Sequence, residues 1–161
     1  MKKLPLLFFC VIFLFSGCET APKPPCDKFS SKFTAKYNGE RLSGKICSPS
    51  NGTLTLSLSS PEALKGCTYF YKGDKLRLTY KNFKIKAEPG YYGKRDFSFL
   101  VFNVIKSLKN EENYTLEGVY NSDSEYKGSC GSGKYRLTCD KATGIIKQIS
   151  LKENKCIINL K

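Results

Sequence analysis

Two groups of residues have types and spacing that could support catalysis. The segment GSCGSGK at residues 128–134 fits the first seven positions of a P-loop, but Tyr135 stands where Ser or Thr must coordinate Mg²⁺. Strand patterns flank the segment on both sides, whereas a P-loop precedes a helix, so we interpret it as a turn. Asp123 and Glu125 would share one face of a strand. A hydrolase would need both in a cleft, and since no other acid or base is near them in sequence, we interpret them as surface residues.

The absence of histidine from the sequence removes the commonest general base and metal ligand. A Ser-His or Cys-His nucleophile is therefore impossible, and no G-x-S-x-G motif occurs. The other carboxylate pair, Glu111 and Glu112, follows a predicted helix and is typical of a solvated surface. No C-x-x-C spacing indicates a zinc or redox site. We therefore predict that the protein is not an enzyme and has no catalytic residue, metal ligand or cofactor.

The thiol with the most specific sequence context is Cys18. It follows two lysines, an apolar run over residues 4–15 and the small pair Ser16-Gly17, which is the layout of an export signal. The run is too short to span a bilayer, which takes about 20 apolar residues. Residues 14–18, LFSGC, resemble a bacterial lipobox. In lipobox proteins the cysteine receives a diacylglyceryl group and becomes the first residue after cleavage, so the resemblance implies lipidation of Cys18.

The alternative is an ordinary secretory signal, in which Cys18 would be available for a disulfide. A small-residue cleavage site fits a cut after Cys18, with Ser16 at position −3. It does not fit a cut before Cys18, where Phe15 would occupy that position. The layout therefore favours lipidation over this alternative.

Three segments follow from this interpretation. They are a lipoprotein signal peptide (1–17), the lipidated cysteine with a Pro-rich tether (18–28), and one domain (29–161). Two acyl chains hold a protein stably at a membrane, which predicts a lipid anchor on the extracytoplasmic face of the cell membrane. If the source has two membranes, the lipoprotein sorting rule favours the outer one, because Glu19 rather than Asp follows Cys18.

The composition is strongly basic, with 27 Lys and Arg against 14 Asp and Glu and a net charge of +13. Loss of Lys2 and Lys3 with the signal leaves +11. Positive charge attracts anionic lipid head groups, by about 1 kcal/mol for each nearby Lys or Arg, and it would also attract anionic wall polymers. We predict no nucleic-acid partner, because the chain is exported and its charges are scattered along strands. Most of the charge is interpreted as a solvated surface.

Eight cysteines are present, of which Cys10 lies in the signal. Besides Cys18, six remain in the exported chain: Cys26, Cys47, Cys67, Cys130, Cys139 and Cys156. An even number in an exported chain permits disulfides. A free cysteine in an apolar strand pattern behaves as a small buried hydrophobe. The sequence leaves both states open.

Beyond residue 28 the apolar pattern has a period of two almost throughout, which predicts β-strands. In the clearest strand, Leu54, Leu56 and Leu58 face one side and polar residues alternate with them. Asn38-Gly39 is a strong hairpin signal. Eleven strands are predicted, at 29–37, 40–48, 53–59, 67–71, 75–80, 82–88, 113–120, 125–130, 134–139, 144–151 and 156–160. Many short strands with regularly spaced turns favour one antiparallel sheet that curls into a barrel or half-barrel.

Two helices interrupt the strands. Residues 60–66, SPEALKG, predict one helical turn, with Ser60 as N-cap and Gly66 as the stop. Asp96 is predicted to cap the one long helix, residues 97–109. Apolar residues cover most of its circumference, so this helix must be enclosed on most sides. The predicted fold is mainly β (α+β), a half-barrel of about eleven strands with one short and one long helix on its concave side.

The order of anchor, tether, eleven strands and a helix after the sixth strand resembles the LolA/LolB-like lipoprotein-carrier fold. It is closer still to small lipoproteins of low-GC Gram-positive bacteria that share the fold. Local matches are residues 60–66 (SPEALKG), 71–76 (YKGDKL) and 141–145 (KATGI), and the resemblance covers about 29–161. It implies an incomplete barrel closed by helices around an apolar cavity, and a protein that binds acyl chains or senses the state of the envelope.

Two functions are compatible with these patterns. The first is a membrane-tethered protein that holds a lipid, acyl chain or other hydrophobic small molecule between the sheet and the long helix. Its predicted ligand-binding residues are Leu54, Leu56, Leu58, Phe97, Leu100, Val101, Val104, Ile105 and Leu108. The same periodicity is also typical of an ordinary core helix. The second function is a ligand-free sensor or interaction module whose basic surface meets a membrane or protein partner.

Overall fold

The computed structural model describes residues 20–50, 52–73, 75–88, 91, 93 and 95–161. The predicted signal peptide and Cys18 therefore lie outside the described residues. Within them, the chain forms eleven strands, one α-helix and three 3-10 helices. The strands are β1 (Phe29–Tyr37), β2 (Glu40–Ser48), β3 (Thr53–Ser60), β4 (Thr68–Lys72), β5 (Lys75–Tyr80), β6 (Phe83–Ala87), β7 (Tyr114–Tyr120), β8 (Asp123–Cys130), β9 (Gly133–Asp140), β10 (Ile146–Leu151) and β11 (Cys156–Leu160). The helix is α1 (Phe97–Ser107), and the 3-10 helices are Glu62–Leu64, Glu111–Asn113 and Lys152–Asn154.

All eleven strands belong to one antiparallel sheet, in the order β6-β5-β4-β3-β2-β1-β11-β10-β9-β8-β7. The first and last strands of the chain pair with each other in the middle of the sheet. The sheet is curled and unclosed, so β6 and β7 are its two edges. The predicted half-barrel of about eleven strands is confirmed.

The first hairpin forms where the sequence predicts it. Asn38 and Gly39 both have positive φ, 49° and 90°, as a two-residue turn of the type favoured in hairpins requires. From this turn β1 and β2 pair without a register shift, beginning with Tyr37 opposite Glu40. Turn chemistry and the period-two pattern therefore agree, which fixes the face that each side chain occupies.

The helix α1 lies on the concave side of the sheet. It begins at Phe97, and the carboxylate of Asp96 accepts a hydrogen bond of 3.1 Å from the backbone N–H of Phe99, as predicted for the N-cap. It ends at Ser107, two residues earlier than predicted. The backbone N–H of Leu108 there donates to the carbonyl three residues back, at 3.3 Å, which tightens the last turn.

The short helix differs from its prediction. Instead of one turn over residues 60–66, a 3-10 helix covers Glu62–Leu64. Ser60 does not serve as its N-cap, because Ser60 is the last residue of β3 and pairs with Ser43 of β2. The N-cap is Pro61, which makes no side-chain capping bond. Sheet pairing therefore prevails over the local capping preference.

The end of the predicted tether is docked on the sheet. The backbone N–H of Lys23 donates to the carbonyl of Lys141 at 3.0 Å, and that of Cys26 donates to the carbonyl of Gly144 at 2.8 Å. The hydroxyl of Tyr126 donates to the carbonyl of Lys23 at 2.8 Å. From residue 23 onward the segment therefore follows the turn between β9 and β10.

Candidate functional site

The structure brings all nine predicted ligand-binding residues into one hydrophobic cluster between β3 and α1. The exposed fraction of each side chain is 7% or less: Leu54, Leu56, Leu58, Phe97, Leu100, Val101, Val104, Ile105 and Leu108. The inward face of β3 meets the helix because leucines alternate along the strand. Their contact with a ligand stays a prediction.

The middle of α1 is closely packed on the sheet. Leu100, Val101 and Val104 are fully buried. The ring of Phe102 stacks on that of Tyr71 in β4, with 4.4 Å between ring centroids and an interplanar angle of 13°. The residues at the centre of the helix therefore form an ordinary core.

Open space lies at the beginning of the helix. A cleft of about 550 Å³, which we call the α1 cleft, opens there between α1 and the strands β1 to β4. Two predicted ligand residues, Leu58 and Phe97, belong to its wall. The other apolar wall residues are Tyr37, Leu42, Leu64 and Tyr69. This volume is within the range of small-molecule sites, about 300–1,000 Å³.

Four apolar wall residues were missed by the sequence-based prediction, although the strand pattern contained a signal for three of them. Tyr37, Leu42 and Tyr69 each continue the inward-facing alternation of their own strand. The register places Leu56 of β3 opposite Tyr69, so these inward rows become neighbours. The register was the missing information, because the sequence does not show which strands pair.

Polar groups surround the mouth of the α1 cleft. The hydroxyl of Ser98 and the carboxylate of Asp96 hydrogen bond to each other, and the hydroxyl of Tyr37 donates to the carbonyl of Arg95. Burial, and then the charge of Asp96, raises the pKa of Tyr37 and of Tyr69. Both phenols therefore stay protonated and able to donate hydrogen bonds. An apolar wall beside such groups can hold an amphiphilic molecule.

A second cleft differs in chemistry. Its volume is about 580 Å³, and it lies over β7 to β10. Lys127, Lys134 and Arg136 line it together with Glu112 and Glu153. Because charges of both signs meet there, the α1 cleft is the better candidate for a hydrophobic ligand.

The carboxylate of Asp123 takes part in an ion-pair cluster. The ammonium group of Lys147 lies 2.5 Å from Asp123 Oδ1 and 3.3 Å from Asp140 Oδ2. Hydrogen bonds from Thr143, followed by one from Lys147, hold the pKa of Asp140 below its usual range. The pKa of Lys147 is raised, first by its hydrogen bond to Asp123. Glu125 lies two residues further along β8.

Other sequence features have plain structural positions. The glycine-rich residues 128–134 span the end of β8, a turn and the start of β9, so their interpretation as a turn is confirmed.

Among the described residues, no group of three or more Cys, Asp or Glu side chains is placed to hold a metal ion. None of the helices within the described ranges has the length and apolarity needed to cross a membrane. The described thiols are free: Cys26, Cys47, Cys67, Cys130, Cys139 and Cys156.

No protein-family model matches this chain, and no curated protein matches it. Among solved structures, it is similar to an uncharacterized conserved protein from Thermus thermophilus, with a TM-score of 0.53 and 10% identity, covering 81% of this chain and 74% of that one. It is also similar to a LolA superfamily protein from Nitrosomonas europaea, with a TM-score of 0.41 and 8% identity over 82% of both chains. A third similar structure is the complex of the CwlD amidase with the GerS lipoprotein from Clostridioides difficile, with a TM-score of 0.45 and 16% identity over 96% of this chain and 89% of that one.

These likenesses concern the fold alone. The solved structures to which the chain is similar thus include a member of the LolA superfamily, the group that its sequence resembles. At such identities no residue role passes from one protein to another. The function must therefore be argued from the residues of this chain.

Proposed function

We propose that the protein is a non-catalytic, membrane-anchored lipoprotein that binds a lipid or another hydrophobic ligand in the α1 cleft. The observation that carries the proposal is the cleft itself. Apolar side chains from four strands and the helix converge on a space of about 550 Å³ that opens to solvent. Burial of an acyl chain against this wall would contribute about 0.8 kcal/mol per methylene group. The hydroxyl of Tyr69 would receive the polar end, since the hydroxyls of Tyr37 and Ser98 already donate to Arg95 and Asp96.

Leu64 offers a direct test of ligand binding. It is 36% exposed at the edge of the α1 cleft, so a charged replacement changes the cleft without opening the core. In Leu64→Arg we expect the affinity for a fluorescent fatty acid, such as dansyl-undecanoic acid, to fall by roughly tenfold or more, because a charge must be desolvated beside the acyl chain. Leu116→Arg is the matched control, since Leu116 is 47% exposed on the edge strand β7. Equal affinities of the two variants would contradict the proposal.

The anchor is tested separately. Cys18 is proposed to carry the diacylglyceryl group that holds the protein at the extracytoplasmic face of the cell membrane, or of the outer membrane in a cell that has two. In Cys18→Ala we expect the protein to leave the envelope fraction. Retention of the variant with the envelope after a high-salt wash would remove the anchor from the proposal and leave ligand binding untouched.

A second candidate function is a ligand-free interaction module. The observation that favours it is the strong excess of basic residues, with a net charge of +13. Such a module would lose its partner at high salt, because exposed charges are screened within about 10 Å at 0.1 M ionic strength. Protein isolated from cells without any lipid detectable by native mass spectrometry, yet with a salt-sensitive partner, would favour this function over ligand binding.

A further inference from the structure

A cluster of basic side chains lies on the convex face of β4 to β6. We call it the basic patch, and all of its members are exposed: Lys72, Lys75, Arg77, Lys84 and Lys86. Side chains along a strand point alternately to its two faces. In β5, Leu76 and Leu78 point towards the core, so Lys75 and Arg77 point to the convex face. These residues are dispersed over 15 positions of the sequence, and only the pairing of the three strands makes them one surface.

Strand pairing places like charges opposite each other within the patch. Arg77 stands directly opposite Lys86, and Lys72 stands directly opposite Lys75. Like charges in these positions destabilise a sheet. Within the part of the chain that the structure describes, no member of the patch forms an ion pair with a carboxylate. None of the described carboxylates is paired with these side chains, so their positive charge is available to an anionic partner.

The patch also has a shape that can receive anionic groups. A groove of about 670 Å³ is lined by Arg77, Thr79, Lys84 and Lys86. The guanidinium carbon of Arg77 lies 5.8 Å from the ring centroid of Phe70, which supports it over the sheet. Phosphate oxygens suit this combination of guanidinium, ammonium and hydroxyl donors.

Apolar side chains on the other face of β6 narrow the choice of partner. Phe83 is 70% exposed and Ile85 is 42% exposed, both on the face opposite Lys84 and Lys86. β6 is an edge strand, so its apolar and basic sides meet along one free border of the sheet. Basic residues combined with exposed Phe and Ile are typical of elements that lie in a membrane interface. A soluble polyanion would gain nothing from the two apolar residues.

The position of the N-terminal segment agrees with a lipid partner. Because the strands alternate in direction, the turn between Lys72 and Lys75 is at the same end of the sheet as the turn between β9 and β10. Lys23 is docked at the latter turn. Cys18 is five residues before Lys23, a span of at most about 18 Å when extended. A proposed anchor at Cys18 would therefore hold the end of the sheet that carries Lys72, Lys75 and Lys86 next to the membrane.

We infer that the free edge of the sheet at β6, with the basic patch on one face and Phe83 and Ile85 on the other, docks on the surface of an anionic phospholipid membrane. The inference deepens the proposed membrane attachment and does not depend on the α1 cleft. An acyl anchor leaves the orientation of a protein free, whereas the patch would fix which side of the half-barrel faces the bilayer.

A tryptophan reporter tests the docking, because the chain contains no tryptophan. The chain from residue 18 onward, carrying Cys18→Ala so that no anchor can insert and Phe83→Trp as the reporter, is mixed with vesicles of equimolar phosphatidylglycerol and phosphatidylcholine, or of phosphatidylcholine alone. We expect the emission to shift to shorter wavelength with the anionic vesicles only. Tyr120→Trp is the matched control, since Tyr120 is 61% exposed on the opposite edge strand and should show no shift. A shift with both compositions, or with neither, would overturn the inference.

Charge variants test the patch itself. The triple variant Arg77→Gln, Lys84→Gln, Lys86→Gln should weaken binding to the anionic vesicles about a hundredfold, because each basic residue near such a surface contributes about fivefold. The control variant removes the same charge from exposed positions of β1 and β2 and should change binding less than about threefold. Its substitutions are Lys32→Gln, Lys36→Gln and Lys45→Gln.

Two outcomes would reject the lipid assignment. One is an equal loss of binding in both triple variants, which would indicate attraction by net charge alone. The other is tight binding of inorganic polyphosphate through the patch without any emission shift of the Phe83→Trp reporter on vesicles. Failure of the anchor is distinguished by the fractionation of Cys18→Ala, which leaves vesicle binding by the patch unchanged.

Discussion

The hydroxyl groups of Tyr71 and Ser98 lie 2.7 Å apart and connect the inner face of β4 to the first turn of α1. Ser98 in turn donates to the carboxylate of Asp96, the residue that caps the helix. Tyr71 must therefore be the donor to Ser98. The same tyrosine ring stacks on Phe102 one turn further along. One buried side chain of β4 thus contacts both the first turn of the helix and the turn that follows it.

Removal of this single hydroxyl should destabilise the protein. In Tyr71→Phe we expect the free energy of unfolding to fall by about 1–2 kcal/mol, because the buried Ser98 oxygen loses its donor while the ring stacking is retained. Urea denaturation measures the effect. Tyr120→Phe, at an exposed position, should change the free energy of unfolding by less than about 0.5 kcal/mol. Similar losses in both variants would mean that the hydrogen bond contributes nothing specific.

Gly144 permits the docking of the N-terminal segment. Its φ is +74°, and a Cβ atom there would lie 2.2 Å from the carbonyl oxygen of Pro24. In Gly144→Ala we expect the segment to detach, so that the backbone N–H groups of Lys23 and Cys26 lose protection. Hydrogen exchange of these two amides should accelerate by roughly tenfold or more.

Gly66→Ala is the matched control for this experiment. Gly66 has a similar φ of +83°, but a Cβ atom there would meet nothing within 4 Å. The control therefore carries the same backbone strain without the contact. If the amide of Cys26 exchanges equally fast in both variants, the contact with Pro24 does not hold the segment.

Local sequence signals predict most of the fold. The bounds of β1, β2, β5 and β11 agree with the predicted strands, because alternation and turn residues are both local. The predicted elements differ from the observed ones where the pairing of strands determines the local structure. Ser60 was expected to cap a helix, yet its backbone joins β3 because Ser43 is available opposite it.

The candidate site is less predictable than the strands, because it depends on contacts between elements that are distant in the sequence. Periodicity identifies Leu100 and Val104 as enclosed, but packing against a ligand and packing against a core produce the same pattern. Tyr37 and Tyr69 lie on different strands, and they share the α1 cleft only because the sheet curls around the start of α1. The basic patch is another example, since its charges look scattered until β4, β5 and β6 are paired.

Stability should decrease in alkali because of two buried thiols. Burial raises the pKa of Cys139 and of Cys156 to about 12, from 9.0. Between pH 9 and about 12 these thiols ionise in the unfolded chain but stay protonated in the folded one. The unfolded state then binds fewer protons, so the free energy of unfolding falls as pH rises, by up to about 1.4 kcal/mol per pH unit for each thiol.

The double variant Cys139→Ala, Cys156→Ala isolates this effect. Its free energy of unfolding should be lower at pH 7, because cavities replace the buried sulfur atoms. Its further decline between pH 9 and 11 should be shallower than that of the unsubstituted protein. Denaturant titrations at several pH values measure both slopes, and equal slopes would show that other groups, such as the buried tyrosines, account for the alkaline loss.

The carboxyl group of Asp140 should respond more to Thr143 than to Lys147. Thr143 Oγ1 donates to Asp140 Oδ1 at 2.8 Å, and this bond is the largest cause of the lowered pKa. Thr143→Ala should therefore raise the pKa of Asp140 further than Lys147→Gln does. Lys134→Gln, which removes a positive charge elsewhere, is the control and should leave the pKa of Asp140 unchanged. Carboxyl-carbon NMR titration measures each value. A lowered carboxyl pKa stabilises the folded state above pH 3.8, and this stabilisation is lost as the pH falls. In Thr143→Ala the free energy of unfolding should therefore decrease less on acidification than in the unsubstituted protein. A larger shift in Lys147→Gln would mean that the ion pair, not the turn, holds this carboxylate charged.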